Sequence, residues 1–152
     1  MVNYWLFKSE PSVYSIDDMK RDNAIYWEGI RNYQARNFMR ACTVGDRVLF
    51  YHSNAKPPGA VGECKIVKEA WPDPEQFNPE SKYFDPKASF EKPRWTVVDI
   101  EFVSKFDRLV SLQEMKENAK LAEMKLVQKG CRLSVMPVSK EEFEEVLLMG
   151  KE

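Results

Sequence analysis

Between the turn signal Gly45-Asp46 and the loop Asn54-Ala55-Lys56-Pro57-Pro58-Gly59 stands a run, Val48-Leu49-Phe50-Tyr51, that has nothing strongly polar to offer to solvent. Successive side chains of a strand point to opposite faces, so a strand of this kind must be covered on both. Arg47 to His52 is therefore predicted as a central strand, and the rest of the chain has to supply layers above and below it. With 152 residues, 43% of them apolar, there is material for a sizeable core, and a single domain over residues 1–152 is expected.

The flanking sequence alternates short strands with short helices. Tyr4-Trp5-Leu6-Phe7 is a bulky aromatic strand ended by Lys8-Ser9-Glu10-Pro11. Ser15 caps a helix over Ile16 to Arg21, with Asp17 and Asp18 in its first turn, where the helix dipole favours anions. A second helix runs from Asn32 or Tyr33 to Ala41, and a strand from Ala60 to Ala70 carries Gly62 as a bulge candidate. Thr96 to Phe102 alternates, with Val97, Asp99 and Glu101 on a face read as wet. Ser111 with Glu114 and Ser139 with Glu142 are capping boxes, and a short helix over Leu121 to Val127 lies between them. Arg132 to Val138 is the last strand, and Phe143, Val146 and Leu147 are the buried stripe of the last helix. Five or six strands interleaved with short helices give a curved or barrel-like mixed sheet with helices outside. The rhythm of a doubly wound sheet is absent.

One stretch fits neither scheme. Trp71 to Pro93 holds five prolines together with Phe77, Tyr83, Phe84 and Phe90, and Asp73-Pro74 reads as a cap and first-turn pair for one short helix. Disordered segments are poor in aromatics, so this is expected to be an ordered flap held down by its rings.

A net charge of −1 excludes a histone-like polycation and leaves any nucleic-acid contact to a local patch. Cys42, Cys64 and Cys131 are odd in number and far apart, which fits reduced thiols and neither disulfides nor a zinc site. The start has no leader pattern and no stretch reaches membrane-spanning length, so a soluble, cytoplasmic protein without membrane contact is expected. No pairing helix stands out, and a monomer is the default.

Trp27-Glu28-Gly29-Ile30-Arg31-Asn32-Tyr33-Gln34-Ala35-Arg36-Asn37 sets an indole, amides and arginines at a helix start, and no acid occurs from Gly29 to Gly45. A planar ligand can stack on the indole, an amide can read its polar edge, and Arg31, Arg36 and Arg40 can hold phosphate. The same residues would also make an ordinary strand-to-helix junction. His52-Ser53 ends the central strand; neighbours on a strand face apart, so His52 cannot readily serve Ser53 as a base. Trp95 reads equally as core or as a ligand contact, and Arg132 and Ser134 share a face of the predicted last strand. Asp99 and Glu101 are better read as a solvated face than as acid–base partners. There is no glycine-rich phosphate loop and no metal-spaced His/Cys set, so neither cofactor nor metal is expected.

Five segments together resemble the EVE domain, the module of the thymocyte nuclear protein family and its bacterial relatives. They are Tyr4 to Pro11, Trp27 to Asn37, Tyr51-His52-Ser53, Pro93-Arg94-Trp95 and Arg132 to Val138. The resemblance implies an α+β, PUA-like mixed-sheet pseudo-barrel with short helices packed around it. It also implies non-catalytic binding of DNA or RNA carrying a modified, for example methylated, base. By that likeness the base pocket would comprise Lys8, Ser9, Trp27, Asn32, Tyr33, His52, Ser53, Trp95, Arg132 and Ser134. Trp27 would stack on an extruded base while Asn32, Ser53 and Ser134 read its edge. Two other readings stand beside this one. An enzyme acting on a nucleotide or modified base would use His52 or Glu10 as acid or base. A protein-interaction module would keep Trp27 and Trp95 in its core and turn the arginines to acidic partners.

Overall fold

In the computed structural model, which describes residues 2–151, six strands form one mixed sheet. They are β1 (Tyr4–Ser9), β2 (Ala24–Tyr26), β3 (Arg47–His52), β4 (Gly59–Pro72), β5 (Thr96–Ser111) and β6 (Val135–Val138), in the order β2-β5-β4-β3-β1-β6. Only β1 and β3 run parallel; every other neighbouring pair is antiparallel. Four helices, α1 (Ile16–Asp22), α2 (Tyr33–Ala41), α3 (Leu112–Glu117) and α4 (Lys140–Met149), pack around it. This is the α+β, PUA-like arrangement expected.

The central strand behaves as its apolar run requires. Val48 and Phe50 enter a core with Trp5, Phe7, Ile16, Met19, Ala35 and Met39, under α1 and α2. Leu49 and Tyr51 enter a second core with Leu6, Met115, Phe143 and Val146, under α3 and α4. The join between β1 and β3 is fixed by Asp46, buried in the turn before β3. Its carboxylate accepts from Asn3 N–H (3.0 Å), Trp5 Nε1 (2.9 Å), Thr43 N–H (2.8 Å) and Thr43 Oγ1 (2.9 Å). Burial alone would raise its pKa, but these donors outweigh burial and hold the carboxyl below its usual range.

The capping boxes at Ser15, Ser111 and Ser139 are all formed. The bulge falls where Gly62 was expected to mark one: Phe50 pairs with Gly62 and Tyr51 with Ala60, leaving Val61 over. A side chain at Gly62 would strike Ile16 Cδ1 and the Ser104 carbonyl, both at 2.6 Å, so its absence lets α1 lie against the sheet.

Several boundaries differ from expectation. β1 continues through Lys8 and Ser9, because parallel pairing with Tyr51 and His52 carries it on to the turn at Glu10. β5 runs on to Ser111, since β4 is long enough to pair with both of its ends, from Thr96 to Ser111, across several shifts of register. Val97, expected on a wet face, is fully buried. The last strand begins only at Val135, leaving Arg132 to Ser134 as its lead-in. The helix expected over Leu121 to Val127 is two 3₁₀ turns, Ala119–Leu121 and Lys125–Val127. The three cysteines are free. Among the described residues no helix is long and apolar enough to cross a membrane, and no three His, Cys, Asp or Glu side chains gather as metal ligands.

Candidate functional site

A cleft of about 810 Å³ opens over the segment that links β2 to α2. Its floor is Trp27 and Ile30. One wall is the end of β1 with the turn that follows (Ser9, Glu10, Val13, Tyr14), joined by Ser134 from the lead-in to β6. The other wall is Lys82 and Tyr83 of the flap.

The first wall is rigid for local reasons. The Glu10 carbonyl accepts the N–H groups of Val13 (2.9 Å) and Tyr14 (2.8 Å), and Ser9 Oγ donates to the Tyr14 carbonyl (2.6 Å). The Lys8 N–H donates to the Ser134 carbonyl (2.8 Å), which brings the β6 lead-in alongside. Tyr14 donates its hydroxyl to Asp22 Oδ2 (2.8 Å) and turns its ring edge to Trp27.

The second wall is latched to the floor. Gly29 has φ +81°, a left-handed conformation that suits glycine, and a Cβ there would lie 2.6 Å from Tyr83 Cζ. The ring of Tyr83 thus stands on the bare backbone of Gly29. Asp73, fully buried, accepts from Gly29 N–H (3.0 Å) and from Arg31 Nη1 (2.9 Å), while Arg31 Nε and Nη2 donate to the Tyr83 carbonyl. Gln76, also fully buried, ties the flap to β5: its Nε2 donates to the Asp73 and Trp95 carbonyls and its Oε1 accepts from Arg94 N–H and Trp95 N–H. The expected flap is ordered, and of its rings Tyr83 does pack on the cleft floor as expected. Phe77 and Phe90 instead stack on each other with Phe90 84% exposed, and buried polar side chains supply the rest of the anchorage.

Outward from Tyr83 runs a ladder of flat groups. The Arg31 guanidinium lies 5.4 Å from both the Tyr83 and Trp95 ring centres, Tyr33 stacks on Trp95 at 4.9 Å, and Arg36 lies 4.7 Å from Tyr33. Arg94 donates to the Tyr33 hydroxyl (2.6 Å), and Arg40 Nε donates to Thr96 Oγ1 (3.1 Å). Burial, and after it the charge of Arg40, push the Arg36 guanidinium below its usual pKa.

The structure divides the residues singled out in the sequence. Lys8, Ser9, Trp27 and Ser134 line the cleft. Lys8 does so through β1, for its ammonium lies 5.8 Å from the Tyr51 ring centre, on the face opposite Trp27, and burial lowers its pKa. Trp27 is only 7% exposed, with its indole against Phe7, Phe50 and Tyr14, so it offers an edge rather than an open stacking face. Every buried side-chain nitrogen or oxygen among the described residues has a partner, and Trp27 Nε1 has none. That donor must therefore reach an accessible surface, and the cleft is where Trp27 is exposed.

The other candidates are not among the cleft's lining. Asn32 Oδ1 accepts from Ala35 N–H (2.9 Å) as the cap of α2. Tyr33 and Trp95 belong to the outer ladder, with Trp95 Nε1 donating to Asp85 (2.8 Å). His52 Nε2 accepts the Ile16 N–H (3.1 Å) at the start of α1, and burial depresses its pKa, so its lone pair is not free for acid–base work in the cleft. Ser53 donates its N–H to the Ser9 carbonyl. Arg132 is exposed and, with no strand at 132–134, does not share a face with Ser134. Of the phosphate candidates, Arg31 is committed to the latch, while Arg36 and Arg40 stand on the outer ladder. Residues that sequence reasoning passed over are Val13, Tyr14, Glu28, Lys82 and Tyr83. Glu28 was legible as part of the Trp27 segment; Tyr83 was visible only as one ring among several in the flap. Burial of both indoles is what an interaction module would need, but such a module would not need a cleft beside one of them.

Comparison with known proteins is consistent along the whole chain. The EVE domain family model matches residues 3–149. Thymocyte nuclear protein 1 of Mus musculus is 42% identical over 164 residues, covering 95% of this chain and 72% of the relative. A crystal structure of a protein from Pseudomonas syringae is 48% identical with a TM-score of 0.93, covering 97% of this chain and 99% of that one. The human THYN1 protein, solved in complex with DNA containing 5-methylcytosine, is 40% identical with a TM-score of 0.91, covering 99% of this chain and 98% of that one.

Proposed function

This chain belongs to the EVE domain family, and we propose on that basis that it reads a modified base in DNA, binding the base in the cleft beside Trp27 without changing it. The observation that carries this reading is the human relative held on 5-methylcytosine DNA, whose fold covers 99% of this chain. The cleft supports it physically. Its volume lies within the roughly 300–1,000 Å³ of small-ligand sites, and its lining mixes aromatic edges with a few polar groups.

The base would leave the stack, at a cost of a few kcal/mol, and enter between the Tyr14 and Tyr83 walls. Aromatic contact would return roughly 1–3 kcal/mol per ring, and Trp27 Nε1 and the Ser9 and Ser134 hydroxyls would meet the base's polar atoms. Arg36, Arg40 and Arg94 lie along the ladder that continues the flap wall, where the phosphate backbone of the flanking nucleotides would run. We assign no acid–base role, since His52 is occupied at α1 and the Lys8 ammonium faces away. A single-domain monomer inside the cell is the form in which we expect it to act.

The test is binding of matched oligonucleotides, with 5-methylcytosine or cytosine at one position, in DNA and in RNA. Trp27→Phe is the informative variant, because it keeps the ring against Phe7 and Phe50 while removing the indole N–H; Trp27→Ala would cost about 3–5 kcal/mol of core packing. Preference for the methylated DNA, reduced at least fivefold in a folded Trp27→Phe, is the expected result. Equal affinity for both bases refutes the reading, preference for the RNA moves it to RNA, and recovery of an altered nucleoside by mass spectrometry makes the protein an enzyme.

A further inference from the structure

We infer that Glu28 reads the 4-amino group of a cytosine ring in the cleft and thereby rejects thymine; this rests on the base-reading proposal above. A pocket that accepts a 5-methylpyrimidine faces a selectivity problem, because thymine carries the same methyl group. 5-Methylcytosine and thymine differ at position 4, where one has an amino donor and the other a carbonyl acceptor, and at N3, an acceptor in one and an N–H donor in the other. Hydroxyls cannot make the distinction, since each can donate or accept. An acceptor-only group can, by bonding the amine and meeting the carbonyl with lone pair against lone pair.

Two carboxylates line the cleft, Glu10 and Glu28. Glu10 Oε1 takes the Asn54 amide at 3.4 Å, and its backbone carbonyl holds the Val13–Tyr14 turn. The Glu28 carboxylate makes no hydrogen bond and no ion pair among the described residues, although Lys82 stands on the facing wall and Arg31 is three residues on in the latch. Burial, and after it the nearby Glu75 and Asp73, raise its pKa. Glu28 is exposed where it lines the cleft, so its carboxylate is an acceptor engaged only by solvent, and a ligand's amino group can take the place of that water. Next to it in sequence, Trp27 Nε1 supplies an unpartnered donor for the acceptors N3 or O2 that only cytosine, or both pyrimidines, present.

The experiment uses single-stranded DNA, so that the cost of flipping does not differ between bases. Oligonucleotides identical except for 5-methylcytosine, cytosine or thymine at one position are titrated by fluorescence anisotropy against wild type, Glu28→Gln and Glu10→Gln, each checked for folding by thermal melting. Wild type should bind 5-methylcytosine about tenfold or more tightly than thymine. Glu28→Gln should bring the two within about threefold, partly by gaining affinity for thymine, because its amide can donate to O4; Glu10→Gln should leave the ratio intact. An unchanged ratio in Glu28→Gln, a collapse in Glu10→Gln instead, or a wild type indifferent to thymine overturns the inference. A wild type that rejects thymine but does not distinguish 5-methylcytosine from cytosine leaves Glu28 in place and removes the modified-base reading.

Discussion

Gly29→Ala is the sharpest test of how the flap meets the cleft floor. Two separate costs should arise from the one added methyl. The first is backbone: φ is +81°, and a residue with a Cβ held in the left-handed region costs about 1–2 kcal/mol. The second is steric: the new Cβ would sit 2.6 Å from Tyr83 Cζ and 2.9 Å from both Cε atoms, so the ring or the loop must move, and overpacking of this kind costs roughly 1–3 kcal/mol. The ring has little freedom to yield, because the Tyr83 carbonyl is gripped by Arg31 from two nitrogens. Wild type should therefore lose about 2–5 kcal/mol. In a Tyr83→Ala background the steric part vanishes, and the same substitution should cost only the backbone part, about 1–2 kcal/mol. Urea unfolding of the four proteins, with m-values compared to confirm a common unfolded state, measures the difference directly. Equal costs in the two backgrounds would refute the close approach of Tyr83 to Gly29 and with it the latched flap.

Other consequences can be measured in parallel. Asp73→Ala strands the Gly29 N–H and the Arg31 guanidinium and should cost about 3 kcal/mol in urea unfolding; a loss below about 1 kcal/mol would mean that the latch is not anchored there. Burial depresses the His52 pKa, so the folded state favours neutral imidazole; that stability is present above the unfolded pKa of about 6.5 and is lost as pH falls below it. His52→Gln, which can still accept from Ile16, should show a shallower decline in melting temperature between pH 7 and 5, and an identical pH profile would exclude His52 as the source. Arg36→Ala, Arg40→Ala and Arg94→Ala should each weaken DNA binding regardless of the base and lower the slope of log K against log salt by about 0.9 per lost phosphate contact on duplex. Unchanged slopes would take the phosphate path away from the outer ladder.

What the sequence disclosed and what it hid divide by range. Capping boxes join residues three apart, and Val48 to Tyr51 announce their burial within four positions, so the helix starts and the doubly covered strand were readable. The end of β5 was not, because its length is set by β4 pairing with it from the other side of the flap. β2 is three residues long and too short to carry a periodic signal. In the site, Trp27 and Ser134 were recognisable as cleft residues, but Arg31 was misleading. A cation in an acid-free stretch looks like a phosphate ligand until Asp73, forty-two positions later, is seen to claim it. His52 was similarly claimed by a backbone N–H thirty-six positions away. Long-range polar pairing of this kind leaves no local trace.

The placing of β1 between β3 and β6 has a bearing on biogenesis. β1, the first strand of this domain to be synthesised, is flanked by one partner from residues 47–52 and another from 135–138, so one of its backbone edges stays unpaired until residues 135–138 have emerged. Native pairing of that edge is among the last non-local closures, a slow kind of step that leaves nascent chains open to misassociation. Ser134, at the threshold of β6, arrives with that closure, so a stalled translation product would lack one residue of the cleft wall as well as a finished sheet.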